Sequence, residues 1–127
     1  MKSAQNRLPP LRESDIQTQI VAALSYHAWK HKYIFFSVPN EHDLSASGNK
    51  YARMTQLKKM GFTPGVADLV IVKAGVASFL EVKTPAGEVS DNQRRFMSAA
   101  VSAGAHCTVV RSYEQAISVL KQWEIFA

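Results

Sequence analysis

Hydrophobic residues recur along the chain with two different periods, and the changes of period mark the predicted elements. Between residues 16 and 28 the apolar side chains follow at steps of three and four, which predicts an amphipathic helix that begins at 12–15 and reaches about residue 30. Helical spacing returns at 50–60, 90–103 and 113–123. Runs of aromatic and β-branched residues predict strands at 33–38, 67–73, 76–84 and 106–111. The order α-β-α-β-β-α-β-α indicates an α/β domain whose central mixed sheet is flanked by helices.

The length of the chain favours a single domain over residues 1–127, because separate hydrophobic cores need on the order of 100 residues each. Residues 1–11 are expected to form an irregular, flexible arm, and the polar residues 41–49 to form a loop. No apolar stretch approaches the roughly 18 to 20 residues that span a bilayer, and residues 1–10 lack the apolar region of a secretory signal. We therefore expect a cytoplasmic protein without a membrane partner.

Basic residues outnumber acidic ones by 15 to 10, so the net charge is +5 and a polyanionic partner is favoured. Four of these basic residues lie in the second predicted helix: Lys50, Arg53, Lys58 and Lys59. They suit contacts to a phosphate backbone, and a merely solvated helix face is the alternative. Charge alone does not decide between the two.

The strands at 67–73 and 76–84 are separated by Ala74 and Gly75, which predicts a hairpin with a two-residue turn. If Lys73 then pairs with Val76, every later pair keeps the same sum of residue numbers. This register places Asp68 directly opposite Glu81. A three-residue turn would shift the register by one and separate the two carboxylates.

Two carboxylates that face each other across a sheet repel unless a positive charge lies between them. A divalent cation would supply that charge, and hard oxygen ligands favour Mg²⁺ or Mn²⁺. Lys83 lies on the same face of its strand as Glu81 and points toward the place where a bound phosphate and water would meet. The set predicts a hydrolytic site, although a Glu-x-Lys sequence in a strand is also a common solvated charge pair.

The segments Pro-Gly-Val-Ala-Asp-Leu at 64–69 and Phe-Leu-Glu-Val-Lys at 79–83 resemble the signature of the PD-(D/E)xK nucleases, and more narrowly that of the VRR-NUC family. Four other positions match that family's pattern, and the resemblance covers nearly the whole chain: Glu13, Gln17, the asparagine of Pro39-Asn40, and Gln93. One departure is Ala67, where the family more often has proline or another residue before the aspartate. This position is not a ligand.

The resemblance implies a restriction-endonuclease-like core, dependence on Mg²⁺ or Mn²⁺, and cleavage of phosphodiester bonds, often in branched DNA. The expected metal ligands are Glu13, Asp68, Glu81 and the backbone carbonyl of Val82. Lys83 is expected to orient or deprotonate the attacking water or to stabilise developing charge, and Gln93 to orient water or phosphate. The alternative for Glu13 and Gln93 is a structural role at the start of a helix. Expected DNA contacts are Gln17, Asn40, Lys50, Arg53, Lys58, Lys59 and Arg94.

Stand-alone members of this family resemble archaeal Holliday junction resolvases in size and layout. We therefore expect a homodimer, in which two sites related by a two-fold axis cut opposing strands of a four-way junction. The resemblance implies that the protein acts in the cytoplasm of a bacterial or phage-infected host cell. Two alternatives remain open, namely a nicking or restriction-type nuclease on ordinary duplex and a DNA-binding module without catalysis.

Overall fold

The helices and strands of the computed structural model follow the predicted order. The structure describes residues 11–39 and 49–126, so residues 1–10 of the predicted arm, most of the polar loop and Asn40 lie outside the described residues. The elements are α1 (Glu13–His31), β1 (Tyr33–Ser37), α2 (Lys50–Lys59), β2 (Leu69–Lys73), β3 (Val76–Val82), α3 (Asp91–Ser102), β4 (His106–Val110) and α4 (Tyr113–Gln122). Within these ranges no helix is both long and apolar enough to cross a bilayer.

The four strands form one mixed sheet in the order β1-β2-β3-β4. The first three strands are antiparallel neighbours, and β4 runs parallel to β3 after the α3 crossover. Ala74 and Gly75 both have positive φ angles, 52° and 80°, as a two-residue type I′ hairpin turn requires. The predicted register is confirmed, since Lys73 pairs with Val76 and the sum stays constant as far as Leu69 and Leu80.

One face of the sheet carries the main hydrophobic core. Alternate strand residues point toward α1 and α4, whose own apolar faces close over them. The core residues are Ile16, Ile20, Leu24, Tyr33, Leu69, Ile71, Leu80, Val82, Val110, Ala116, Leu120 and Ile125. The hydroxyl of Tyr33 also donates a buried hydrogen bond of 2.6 Å to the Leu24 carbonyl, which ties β1 to α1.

The opposite face of the sheet is covered near β3 and β4 by α3. Phe79 meets Phe96 of α3 edge to face, with ring centroids 5.0 Å apart. Glu81 lies on the same side of β3 as Phe79, two residues further along the strand. The face that carries Glu81 is therefore also covered, and Glu81 is only 2% exposed.

The two hairpin strands are shorter than the predicted ranges 67–73 and 76–84, for a specific reason. Successive N–H groups of a strand point to opposite edges, and the Lys83 N–H points to β4, where the Val110 carbonyl accepts it at 3.0 Å. The Val82 N–H therefore points to β2, and there the Asp68 carboxylate accepts it at 2.7 Å. A side chain replaces the backbone acceptor, and the ladder ends at Leu69.

Candidate active site

Asp68 and Glu81 meet where β2 begins and β3 ends. The register that pairs Leu69 with Leu80 places Asp68 opposite Glu81 one step further along. Each carboxyl group affects the pKa of the other, and both are partly or fully withdrawn from solvent. The predicted pairing of the two carboxylates is present in the structure.

Burial is the main cause of the unusual proton affinity of this pair. It raises the pKa of Glu81 to about 8, and the negative charge of Asp68 adds to the rise. Burial also raises the pKa of Asp68, although the hydrogen bond from the Val82 N–H opposes the change. Glu13 of α1 raises both pKa values through its charge, so the start of α1 faces this site. The three acids form an electronegative centre that a cation would stabilise.

Lys83 supplies a positive charge next to this pair of carboxyl groups. Its Nζ lies 3.8 Å from Oε2 of Glu81, and the side chain is only 12% exposed. The separation is that of an ion pair and is too long for a hydrogen bond. The ammonium therefore lowers the pKa of both carboxyl groups without being held tightly by either.

Gln93 has the structural role at the start of α3 that was the alternative in the sequence analysis, and its side chain also contacts Glu81. Its side-chain Oε1 accepts the Ser90 N–H at 2.9 Å, and its backbone N–H donates to Ser90 Oγ at 3.1 Å. These two bonds form a capping box at the start of α3. Since the oxygen of the amide is used by the cap, Nε2 faces the site and donates to Glu81 Oε2 at 2.9 Å. The helix cap fixes the amide that holds Glu81.

Gly65 brings the chain before Asp68 against the start of α3. It has φ +82°, and a Cβ at this position would lie 2.3 Å from the carbonyl atoms of Asn92 and 2.7 Å from the Gln93 nitrogen. Only a glycine permits this approach of two backbones. The turn signal Pro64-Gly65 indicated a bend, and the contact itself was not predictable from the sequence.

The other predicted residues that the structure describes lie on α1, α2 and α3. Gln17 is half-buried one turn after Glu13 on α1, and Lys58 and Lys59 are exposed in the last turn of α2. Arg94 is exposed on α3 and pairs with Asp91 at 2.9 Å. Arg53 is exposed on α2. Their DNA contacts, like those of Lys50 and Asn40, stay predictions.

The donor set fits a hard divalent cation at Asp68 and Glu81. Both groups are carboxylates, the ligand type that Mg²⁺ and Mn²⁺ prefer, and a cation would offset the effect of burial that raises their pKa values. In the part of the chain that the structure describes, no three acidic, histidine or cysteine side chains are grouped closely enough to enclose an ion. Glu13 therefore acts on this centre from outside the direct pair.

Comparison with known proteins decides the family. The sequence model of the VRR-NUC domain matches residues 11–114. The chain belongs to the VRR-NUC family. This is a family of nucleases, so the general activity is cleavage of DNA. The family predicted from the sequence is confirmed. No curated protein matches the chain significantly.

Solved structures of VRR-NUC domains share the fold. A protein described as "VRR_NUC domain protein" superimposes with a TM-score of 0.65 at 16% identity, over 94% of this chain and 93% of its own. A second, described as "VRR_NUC domain", gives a TM-score of 0.60 at 18% identity, over 87% of this chain and 96% of its own. The predicted α/β fold with a restriction-endonuclease-like core is confirmed.

The first prediction concerns the contact of Gly65 with α3, with Gly75 as a matched control. Both glycines have a similar positive φ, but a Cβ on Gly75 would meet nothing within 4 Å. Gly75→Ala should therefore lower the free energy of unfolding by about 1–2 kcal/mol from backbone strain alone. Gly65→Ala should cost about 1–3 kcal/mol more, because the new methyl group collides with the backbone of α3. Urea denaturation of both variants measures the difference, and equal losses would contradict the close approach.

The second prediction concerns pH in the metal-free protein. The ordinary pKa of Glu81 is 4.5 and its folded value is about 8, so the folded chain retains a proton that the unfolded chain releases. The stability linked to this proton is fully present below the ordinary pKa and is lost as pH rises through the folded pKa. The free energy of unfolding, measured with urea and a chelator between about pH 5 and about pH 9, should fall for the wild type.

Glu81→Gln should flatten this fall, since the amide has no proton to lose. Glu88 provides the control, because it is an exposed carboxylate a short distance further along the chain. Glu88→Gln should keep the wild-type slope of the free energy of unfolding against pH. A Glu81→Gln variant with the full wild-type slope would show that another group causes the pH dependence.

Proposed function

We propose that this chain is a metal-dependent endonuclease that hydrolyses phosphodiester bonds at branched DNA, with the four-way junction as its substrate. One observation carries the proposal: the buried carboxyl pair of Asp68 and Glu81, with Lys83 and Gln93 directed at the same Glu81 oxygen. A buried acid pair with raised pKa values and a nearby lysine is typical of a functional site and is costly as a purely structural feature.

Asp68 and Glu81 are the residues that would hold Mg²⁺ or Mn²⁺, with the Val82 carbonyl as a further ligand and Glu13 acting through water. When bound, the ion would lower the pKa of a water molecule and offset charge on the phosphate. Asp68 remains oriented by the Val82 N–H, and Glu81 by the Gln93 amide. The protein thus holds both carboxylates in place before substrate arrives.

Lys83 is the residue that we assign to the reacting phosphate and water. Its ammonium is nearly buried, lies at ion-pair distance from Glu81 and forms no shorter bond to it. It can therefore move by a small amount to orient or deprotonate the attacking water, or to stabilise the charge that develops on phosphate. Gln93 would orient water or phosphate from the other side.

The basic side chains of α2 and α3 are proposed to bind the DNA backbone. Lys58, Lys59 and Arg94 are exposed, as phosphate contacts require. We further propose that two copies of the chain act together, so that two sites cut opposing strands of a junction symmetrically. The reaction would take place in the cytoplasm of a bacterium or of a phage-infected host cell.

The third prediction tests the activity and the substrate together. Wild-type protein is incubated with linear duplex, flap, splayed-arm and four-way-junction DNA, each with Mg²⁺, Mn²⁺ or a chelator. We expect cleavage of the junction with either metal and none with chelator. Asp68→Asn and Glu81→Gln should each lower the single-turnover rate by about two orders of magnitude or more, because each removes charge that the cation requires. Glu88→Gln should cut at the wild-type rate.

Equal cleavage of linear duplex would overturn the branched substrate. Cleavage that survives in both Asp68→Asn and Glu81→Gln would remove these residues from the active site. DNA binding without cleavage by the wild type under every metal condition would leave a binding module.

The fourth prediction separates the possible roles of Lys83. Lys83→Met keeps the aliphatic stem and removes the charge, so the single-turnover rate should fall by about two orders of magnitude while metal binding survives. Lys83→Arg keeps the charge but cannot release a proton near neutrality, so it should be similarly impaired if Lys83 transfers a proton. The exposed Lys121 of α4 supplies the charge-matched control, and Lys121→Met should cut normally.

A near-normal rate for Lys83→Arg would exclude the role as a base and retain the electrostatic one. A near-normal rate for Lys83→Met would exclude both roles and leave a strand residue paired with Glu81.

A further inference from the structure

The segment 84–90 connects the two site residues that follow Glu81. It begins directly after Lys83, the residue that follows β3, and ends at Ser90, the cap of the helix that carries Gln93. Its first four residues form a turn in which the Gly87 N–H donates to the Thr84 carbonyl at 3.1 Å. The conformation of this turn therefore affects the site on both sides.

Arg111, the residue directly after β4, holds this turn. Its Nη1 donates to the carbonyls of Thr84 at 2.8 Å and Gly87 at 2.7 Å, and the Pro85 carbonyl lies further away at 3.4 Å. Since Nη1 has two hydrogens, the two short bonds use both of them. A charged donor makes stronger hydrogen bonds than a neutral one, so one side chain closes the first and last residues of the turn.

The turn that Arg111 holds lies against the side chain of Lys83. A Cβ on Gly87 would be 3.5 Å from Cδ of Lys83 and 3.2 Å from Oγ1 of Thr84, so the Gly87 backbone borders the lysine stem. The backbone of Lys83 is also held next to Arg111, because the Lys83 N–H donates to the carbonyl of Val110, the residue before Arg111. The stem of Lys83 is thus enclosed between Glu81 and a turn that Arg111 fixes.

We propose that Arg111 is a positioning residue of the nuclease site, which sets the place of the Lys83 ammonium by holding the 84–87 turn. Arg111 makes its contacts to backbone carbonyls and does not touch the carboxyl pair. The proposal rests on the proposed function only in that Lys83 takes part in DNA cleavage. Its effect on the order of the turn is independent of that activity.

A double-mutant cycle tests whether Arg111 acts through Lys83. Arg111→Met should lower the single-turnover rate by about 10- to 100-fold, the scale of a small displacement of a reacting group. In the Lys83→Met background the same substitution should cause no further loss, because the group that it displaces is already absent. Lys121→Met removes the same charge from α4 and should leave the rate unchanged in both backgrounds.

Two measurements on the metal-free protein test the same inference without cleavage. Amide hydrogen exchange at Gly87 should be at least about tenfold faster in Arg111→Met than in the wild type or Lys121→Met, since the turn opens more often. Labelling of Lys83 by an acylating reagent, followed by mass spectrometry, should also be several-fold faster in Arg111→Met. Urea denaturation establishes that the variants remain folded.

An equal loss of rate in the presence and absence of Lys83 would overturn the proposal and assign Arg111 to DNA binding or to overall stability. Unchanged exchange at Gly87 and unchanged labelling of Lys83 would also overturn it. If the wild type cuts no DNA, the proposed function fails, and exchange and labelling alone decide whether Arg111 places Lys83.

Discussion

The hydrogen bond from the Val82 N–H to the Asp68 carboxylate is the contact on which the geometry of the site depends. It ends the hairpin ladder by replacing a backbone acceptor with a side chain, and it keeps Asp68 facing Glu81. Without this donor, the Asp68 carboxylate would lose the backbone hydrogen bond that orients it beside Glu81. The core beneath them, with Leu80 and Val82 fully buried, prevents the strand from turning away.

Gln93 and Lys83 reduce the cost of burying that pair. Gln93 donates to Glu81, and Lys83 supplies a positive charge nearby. These contacts do not cancel the effect of burial, since the pKa of Glu81 still rises to about 8. A cation bound beside this pair would therefore stabilise the ionised carboxylates.

The sequence predicted the elements and the pairing of Asp68 with Glu81, because both follow from local rules. Hydrophobic period identifies helices and strands, and a two-residue turn with Gly75 determines the hairpin register. The strand ends were predicted too long, since the hydrogen bond of the Asp68 side chain to Val82 competes with the ladder. Contacts between distant segments were also beyond local rules: Gly65 against Asn92, and Arg111 against the 84–87 turn.

The order of the site residues along the chain has an evolutionary consequence. Asp68, Glu81, Lys83, Gln93 and Arg111 all belong to one continuous stretch that contains the hairpin, the α3 crossover and β4. Contacts within this stretch orient every one of them, whereas the exposed basic side chains of α2 precede it. Substitutions of the basic residues of α2 can therefore accumulate without disturbing the contacts that orient these five residues.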